Sequence, residues 1–215
     1  EKFPMNDKTA INKKLLIDKA SKIIAISEST KKDIIDIYKI DSSKIEVVYL
    51  SSSLLPSKNF IHNQKLPSEY ILFVGSRVGY KNFIFFVESI SKLLLNNRNL
   101  FLVCAGGGVF NSDEIGLFSR LNIDSQLIQI NVNDKSLTDL YVNAQLFVFP
   151  SLYEGFGIPI LESFSCNCPL ACSNTSSFKE IADDAAVFFN PTDENSILAS
   201  VSIVLNDEKL QRELK

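Results

Sequence analysis

From Tyr70 onward, short continuous apolar runs alternate with segments whose apolar residues recur every three or four positions. The runs cover 70–74 (YILFV), 100–105 (LFLVCA), 127–130 (LIQI), 146–149 (LFVF), 170–172 (LAC) and 186–189 (AVFF). The periodic segments between them cover 82–96, 112–121, 134–144, 159–166, 177–183 and 193–205. A strand with one wet face alternates apolar and polar residues, whereas an unbroken apolar strand is covered on both faces. Strands of that kind alternating with amphipathic helices predict an α/β fold, a Rossmann-like doubly wound parallel sheet of about six strands.

The first 50 residues repeat the pattern in miniature. Residues 11–22 predict a helix with Ile11, Leu15, Leu16 and Ala20 on its inner side, and 23–26 a short strand. Ser27 is placed to cap a helix over 28–39 with Ile34, Ile35 and Tyr38 turned inward, and 45–50 predicts another strand. Two strands and two helices bury too little apolar surface to stand alone. Residues 1–55 are therefore expected to be the closing part of a second, partial α/β domain at the N-terminus. A Ser-, Asn- and Pro-rich stretch follows and reads as a hinge over 56–69. The ligand-binding domain is expected over 70–205, with the start of a C-terminal helix over 206–215. The lone histidine, His62, falls in the hinge and reads as a solvated loop residue.

Charge narrows the partners. The net charge is −3, but residues 1–66 hold 12 lysines against eight acidic residues, while the remainder is acidic. The larger part offers no basic face, which argues against nucleic acid. Lys13, Lys14 and Lys22 could form a basic helix face for peripheral association with an anionic membrane, although a solvated face explains them as well. No apolar run approaches the roughly 20 residues that span a bilayer. Cys104, Cys166, Cys168 and Cys172 lie among apolar or small residues at no zinc-binding spacing. They read as small buried residues of a reducing cytoplasm, and no metal site is expected.

In a parallel sheet the ligand meets the loops at the strands' carboxyl ends. After the first run comes Gly75-Ser76-Arg77-Val78-Gly79-Tyr80-Lys81-Asn82. A cation at a helix start opposes the helix dipole, and a bound anion removes the conflict. Arg77 as a planar fork and Lys81 as a point charge would suit a diphosphate. After the second run, Gly106-Gly107-Gly108 reads as a tight turn near the ligand and lacks a dinucleotide fingerprint. The fourth run ends in Pro150 and a glycine loop, and Pro159 then opens a helix with Glu162 expected in its first turn. Such a loop aims backbone N–H groups at an anion. Glu154 has no place there unless it meets vicinal hydroxyls, which a carboxylate accepts in pairs. Two carboxylates facing two cations read as a nucleotide-sugar site.

At these residues the chain resembles the C-terminal half of the GT-B glycosyltransferases, specifically glycosyltransferase family 4, the "glycosyl transferases group 1" proteins. The stretches that carry the likeness are SEST at 27–30, KIEVVYL at 44–50, ILFVGSRVGYKN at 71–82, LTDLYVNAQLFVFPSLYEGFGIPILES at 137–163 and SFKEIADDAAVFFNP at 177–191. The two glutamates seven residues apart with GFG between them are the most specific. The resemblance implies a GT-B architecture and a retaining, metal-independent transfer of sugar from a nucleoside-diphosphate sugar, of UDP or GDP type, to a saccharide or lipid-linked acceptor. It implies work in glycan or polysaccharide biosynthesis, in the cytoplasm or at the inner face of a membrane, with no further cofactor. It gives Arg77, Lys81 and Glu154 the catalytic roles. Arg77 and Lys81, beside Gly75, would bind the diphosphate. Glu154 would contact the sugar, the backbone of Gly155, Phe156, Gly157 and Ile158 the sugar and phosphate, and Glu162 the ribose. Asn131 and Val132 would meet the base.

The chain departs from the family at Ile130, where many relatives have Gly, and at Ser51–Leu54, where they have Asn-Gly-Val-Asp. Relatives also carry an N-terminal glycine-rich loop and often a catalytic histidine, which suggests a fragment centred on the donor domain. The competing expectation is a non-catalytic nucleotide-sugar-binding subunit that needs a partner chain.

Overall fold

The computed structural model describes residues 8–54 and 66–214. His62 and most of the expected hinge lie outside the described residues. Two compact units divide after Leu50.

In the first unit, α1 (Lys8–Lys19) precedes β1 (Ile23–Ala25), α2 (Glu28–Tyr38) and β2 (Ile45–Val47). β1 and β2 pair in parallel, with Ile23 opposite Ile45. Ser27 caps α2 by accepting from the Thr30 N–H at 2.9 Å. α2 ends on Lys39 in the left-handed region, whose N–H reaches the Ile35 carbonyl. The expected inner side of the first helix is corrected. Ile11, Leu15 and Leu16 are exposed, Leu16 to 71%, and Ile17 is the buried residue. The helix also stops at Lys19, so Lys22 is not on its face and instead donates to the Ser43 carbonyl.

The second unit contains β3 (Glu69–Val74), α3 (Phe83–Asn96), β4 (Leu100–Ala105), α4 (Ser112–Arg120), β5 (Leu127–Ile130), α5 (Asp134–Asn143), β6 (Leu146–Phe149), α6 (Ile158–Ser165), β7 (Leu170–Ser173), α7 (Phe178–Ala182), β8 (Val187–Phe189), α8 (Glu194–Asn206) and α9 (Glu208–Glu213). Its six strands are all parallel in the order β5-β4-β3-β6-β7-β8. Each apolar run divides its residues between the two faces. Ile71 and Phe73 of β3 join α3, α4 and α8 in one core layer, where Phe73 packs edge-on against Phe83 at 4.9 Å. Tyr70, Leu72 and Val74 join α5, α6 and α7 in the other. At about 1.5–3 kcal/mol for each large apolar side chain, both faces must be covered, which is why the runs carry no polar alternation. All four cysteines are buried, and the Cys166 thiol is pushed up to about 11 by burial.

The strand order places the site. The chain winds outward from β3 to β5, returns to the other side of β3, and winds outward again from β6 to β8. Neighbours β3 and β6 therefore lead into helices on opposite faces of the sheet, α3 with one core layer and α6 with the other, which makes a topological switch point where doubly wound sheets take ligands.

Candidate active site

The loops after β3 and β6 meet at that switch point. The first ends in a 3₁₀ turn over Gly79–Lys81, then Asn82 in the left-handed region at φ 59° opens α3. The second runs from Pro150 to Gly157, which opens α6 at φ 100°. The Leu152 N–H donates to the Tyr80 carbonyl at 2.8 Å and ties the loops together. The Lys81 Nζ then lies 2.7 Å from the Glu154 Oε1, both side chains about 15% exposed. The Lys81 ammonium also lies 5.2 Å from the Phe149 ring centre and 5.4 Å from that of Tyr80.

Two helix starts beside this pair lack side-chain caps. α2, α4, α5, α8 and α9 each begin with a side chain accepting from their first turn. α3 and α6 do not. Asn82, placed to cap α3, instead donates to the Pro191 carbonyl at 2.8 Å. At the start of α7, Ser177 likewise donates to the carbonyls of Glu154 and Phe156. Asn82 thus braces a loop and Gly157 has no side chain to cap with, which leaves the positive ends of the α3 and α6 dipoles for an anion. A side chain at Gly157 would be strained. Its φ is positive, and a Cβ would lie 3.1 Å from Ile160 and 3.2 Å from Phe178.

Arg77 is held by several groups of the protein. Its side chain is 3% exposed and Glu114's is 4%. Nε donates to Glu114 Oε1 at 2.7 Å and Nη2 to Oε2 at 3.3 Å. Nη1 donates to the Gly106 carbonyl, and Nη2 to those of Gly108 and Val109. The guanidinium lies 4.8 Å from the Phe110 ring centre and 5.8 Å from that of Phe83. A guanidinium has five N–H donors, and among the described residues these contacts leave one Nη1 hydrogen without an acceptor. The fork that suited a diphosphate therefore organises the glycine loop after β4. Gly107 lies against it, where a Cβ would come within 2.6 Å of Nη1. Gly75, at the end of β3, borders both cations' surroundings. Its carbonyl faces Gly107, and a Cβ on it would lie 3.9 Å from the Lys81 Nζ.

Glu162 is not in the first turn of its helix. α6 begins at Ile158, so Glu162 is its fifth residue, and the dipole no longer accounts for it. Desolvation by burial raises its pKa, and Asp134 raises it further, while the hydroxyl of Tyr141 donates to Oε2 at 2.9 Å and opposes the rise. Tyr141 is itself buried, and its phenol is held well above the usual range by burial and by Glu162. Phe156 is buried and Ile158 exposed, so between them the loop offers chiefly backbone. Asn131 and Val132 follow β5; Asn131 is exposed and accepts from Gln129 at 3.0 Å, while Val132 packs against the second core layer. Among the described residues no cluster of three metal-ligating side chains occurs.

Sequence reasoning missed Tyr141, Glu114, Ser176 and Ser177. Ser176, at φ 50°, accepts from the Glu154 N–H at 3.1 Å. Tyr141 follows Leu137 and Leu140 on the buried side of its helix and so reads as core. Its one signal is that a buried phenol needs an acceptor.

The model of the family described as "Glycosyl transferases group 1" matches residues 56–215. The O-antigen chain mannosyltransferase B of Escherichia coli is 29% identical over 203 residues, covering 89% of this chain and 53% of that protein. The O-antigen chain mannosyltransferase RfbU of Salmonella typhimurium is 30% identical over 188 residues, covering 85% of this chain and 50% of that protein. The chain thus spans about half the length of these relatives. Among solved structures, the sucrose-phosphate synthase of Thermosynechococcus elongatus superposes with a TM-score of 0.82 at 20% identity, over 97% of this chain and 55% of that one. HepE of Anabaena, solved with UDP and glucose, superposes with a TM-score of 0.80 at 14% identity, over 96% and 59% respectively. At these identities the solved structures show a shared fold.

Proposed function

The chain belongs to the glycosyl transferases group 1 family, and from that premise we propose that it carries the donor-binding part of a retaining glycosyltransferase of polysaccharide biosynthesis. The enzyme moves a sugar from a nucleoside-diphosphate sugar, of UDP or GDP type, to a saccharide or lipid-linked acceptor. The observation that carries this reading is the meeting of Lys81 and Glu154 at the switch point, beside two helix starts without side-chain caps. The relatives named as O-antigen mannosyltransferases support the biosynthetic setting.

In this reading the diphosphate lies across the uncapped starts of α3 and α6 and takes a charge-assisted hydrogen bond from Lys81. Charge that develops on the departing nucleoside diphosphate meets fixed donors and dipoles, so no metal is required. Glu154 accepts from donor-sugar hydroxyls, and Glu162, oriented by Tyr141, accepts from the ribose. The backbone of 155–158 lines the sugar and phosphate, and Asn131 and Val132 border the base. Arg77 acts from behind, holding the 106–109 loop against Gly75. Transfer takes place in the cytoplasm, with the exposed Lys13 and Lys14 available to an anionic membrane face. Among the described residues no helix is long and apolar enough to cross a membrane.

Calorimetric titration with UDP and GDP tests the site. Lys81→Ala and Glu162→Ala should each weaken binding of the preferred nucleotide by well over ~1 kcal/mol, the loss of a charge-assisted bond. Unchanged affinity in both variants refutes the assignment.

A further inference from the structure

Resting on that reading of the site, we infer that the Lys81–Glu154 ion pair is a partner-exchange device that makes the site favour the sugar-bearing donor over the bare nucleoside diphosphate. The pair has two properties that such a device needs. It is closed, at 2.7 Å and with both side chains mostly covered. Its backbones are also held independently of it. The Leu152 N–H bonds the Tyr80 carbonyl, the Glu154 N–H bonds Ser176, Ser177 bonds the Glu154 carbonyl, and Asn82 bonds the Pro191 carbonyl. Breaking the ion pair therefore requires only side-chain rotation, while both groups stay where they are.

The consequence follows from charge. A diphosphate that takes Lys81 leaves Glu154 a mostly covered carboxylate without its cation, which is costly. A donor brings its own remedy, because its sugar hydroxyls can donate to Glu154 while its phosphates accept from Lys81. A bare nucleoside diphosphate brings none, and its negative charge faces the released carboxylate. The donor exchanges both partners and the product exchanges only one. After transfer, Lys81 returns to Glu154 as the nucleotide leaves, so the pair assists product release.

Glu154→Gln tests this, because the amide keeps the size and one acceptor but cannot hold Lys81 as an ion pair. Calorimetry compares UDP and GDP, their glucose and mannose esters, and inorganic pyrophosphate, on the wild type, Glu154→Gln and Lys81→Met/Glu154→Gln. The preferred bare nucleotide and pyrophosphate should bind Glu154→Gln about tenfold more tightly, the scale of one charged hydrogen bond. The preference for sugar ester over bare nucleotide should fall by a similar factor, and the double variant should show no gain. Bare nucleotide and pyrophosphate binding Glu154→Gln no more tightly than wild type overturns the exchange while leaving the donor site intact. A folded wild type that binds no nucleotide and no sugar ester overturns the donor reading and the exchange with it.

Discussion

Replacing Arg77 with methionine separates a structural guanidinium from a ligand-binding one. The ion pair with Glu114 is 3–4% exposed, and the guanidinium also serves the carbonyls of Gly106, Gly108 and Val109. Its removal leaves Glu114 with the Asn111 N–H at 2.8 Å as its remaining hydrogen-bond donor. Breaking a buried pair from one side costs about 3–5 kcal/mol, because the orphaned charge is worse than no pair. For a protein of 150–250 residues each kcal/mol moves Tm by roughly 2–4 °C, so the expected fall is about 6–20 °C. Removing both charges in Arg77→Met/Glu114→Met should restore much of it, since neutral side chains leave no orphan. The chain has no tryptophan, so urea unfolding is best followed by far-UV circular dichroism. Nucleotide titration at a temperature where the variant stays folded completes the test. Affinity should fall far less than in Lys81→Ala. Stability within about 1 kcal/mol of wild type, together with a loss of nucleotide affinity matching that of Lys81→Ala, would show that Arg77 serves the ligand.

Two further substitutions probe the loop and its carboxylate. Gly157→Ala places a Cβ at φ 100° and 3.1 Å from Ile160, so urea unfolding should show a loss of about 1–3 kcal/mol, and an unchanged midpoint would refute the packing argument. Glu162→Gln should be at least as stable as wild type at pH 7, because burial raises the glutamate's pKa and the native state there carries a desolvated charge. A raised carboxyl pKa means the native state binds more protons in the titration window, so its contribution to stability falls as pH rises through that window. The advantage of Glu162→Gln in thermal unfolding should therefore shrink as pH falls toward 4.5, the ordinary glutamate value. An advantage that grows on acidification contradicts the sign.

The strands of the second unit were legible because each is mostly apolar, and β4, β5 and β6 coincide with their expected runs residue for residue. The helix ends moved by a residue or so where local chemistry overrode the pattern. α6 starts at Ile158 because Gly157 takes the left-handed turn, which carried Glu162 out of the first turn and removed the simplest account of it. α1 misled more seriously. Its Ile11, Leu15 and Leu16 follow a helical period, but they are exposed, and a period records which residues share a side and not what covers them. Lys81 and Glu154 were readable as candidates from their places after strands. Their contact was not, because it depends on β3 and β6 being neighbours, a fact of strand order. Glu114 is 37 residues from Arg77 and already serves the capping box of α4, so its helical role concealed the second one.

On the proposed reading, the charges of the site assign ligand exchange to one pair rather than another. Arg77, Lys81, Glu114, Glu154 and Glu162 all lie in or beside the loops of the carboxyl edge, and each already has a partner within the protein. An arriving diphosphate that takes a whole cation takes it from a carboxylate, since Arg77 has only one Nη1 hydrogen to spare. Taking Arg77 would strand Glu114 in the core and free three loop carbonyls at once, a cost of several kcal/mol that no sugar hydroxyl could reach to offset. Taking Lys81 breaks a single hydrogen bond, the 2.7 Å contact with Glu154, and the carboxylate released is the one a sugar can satisfy on the proposed reading. Burial thus divides two cations four residues apart into one covered almost completely and one at the cleft, and the proposed exchange belongs to the second.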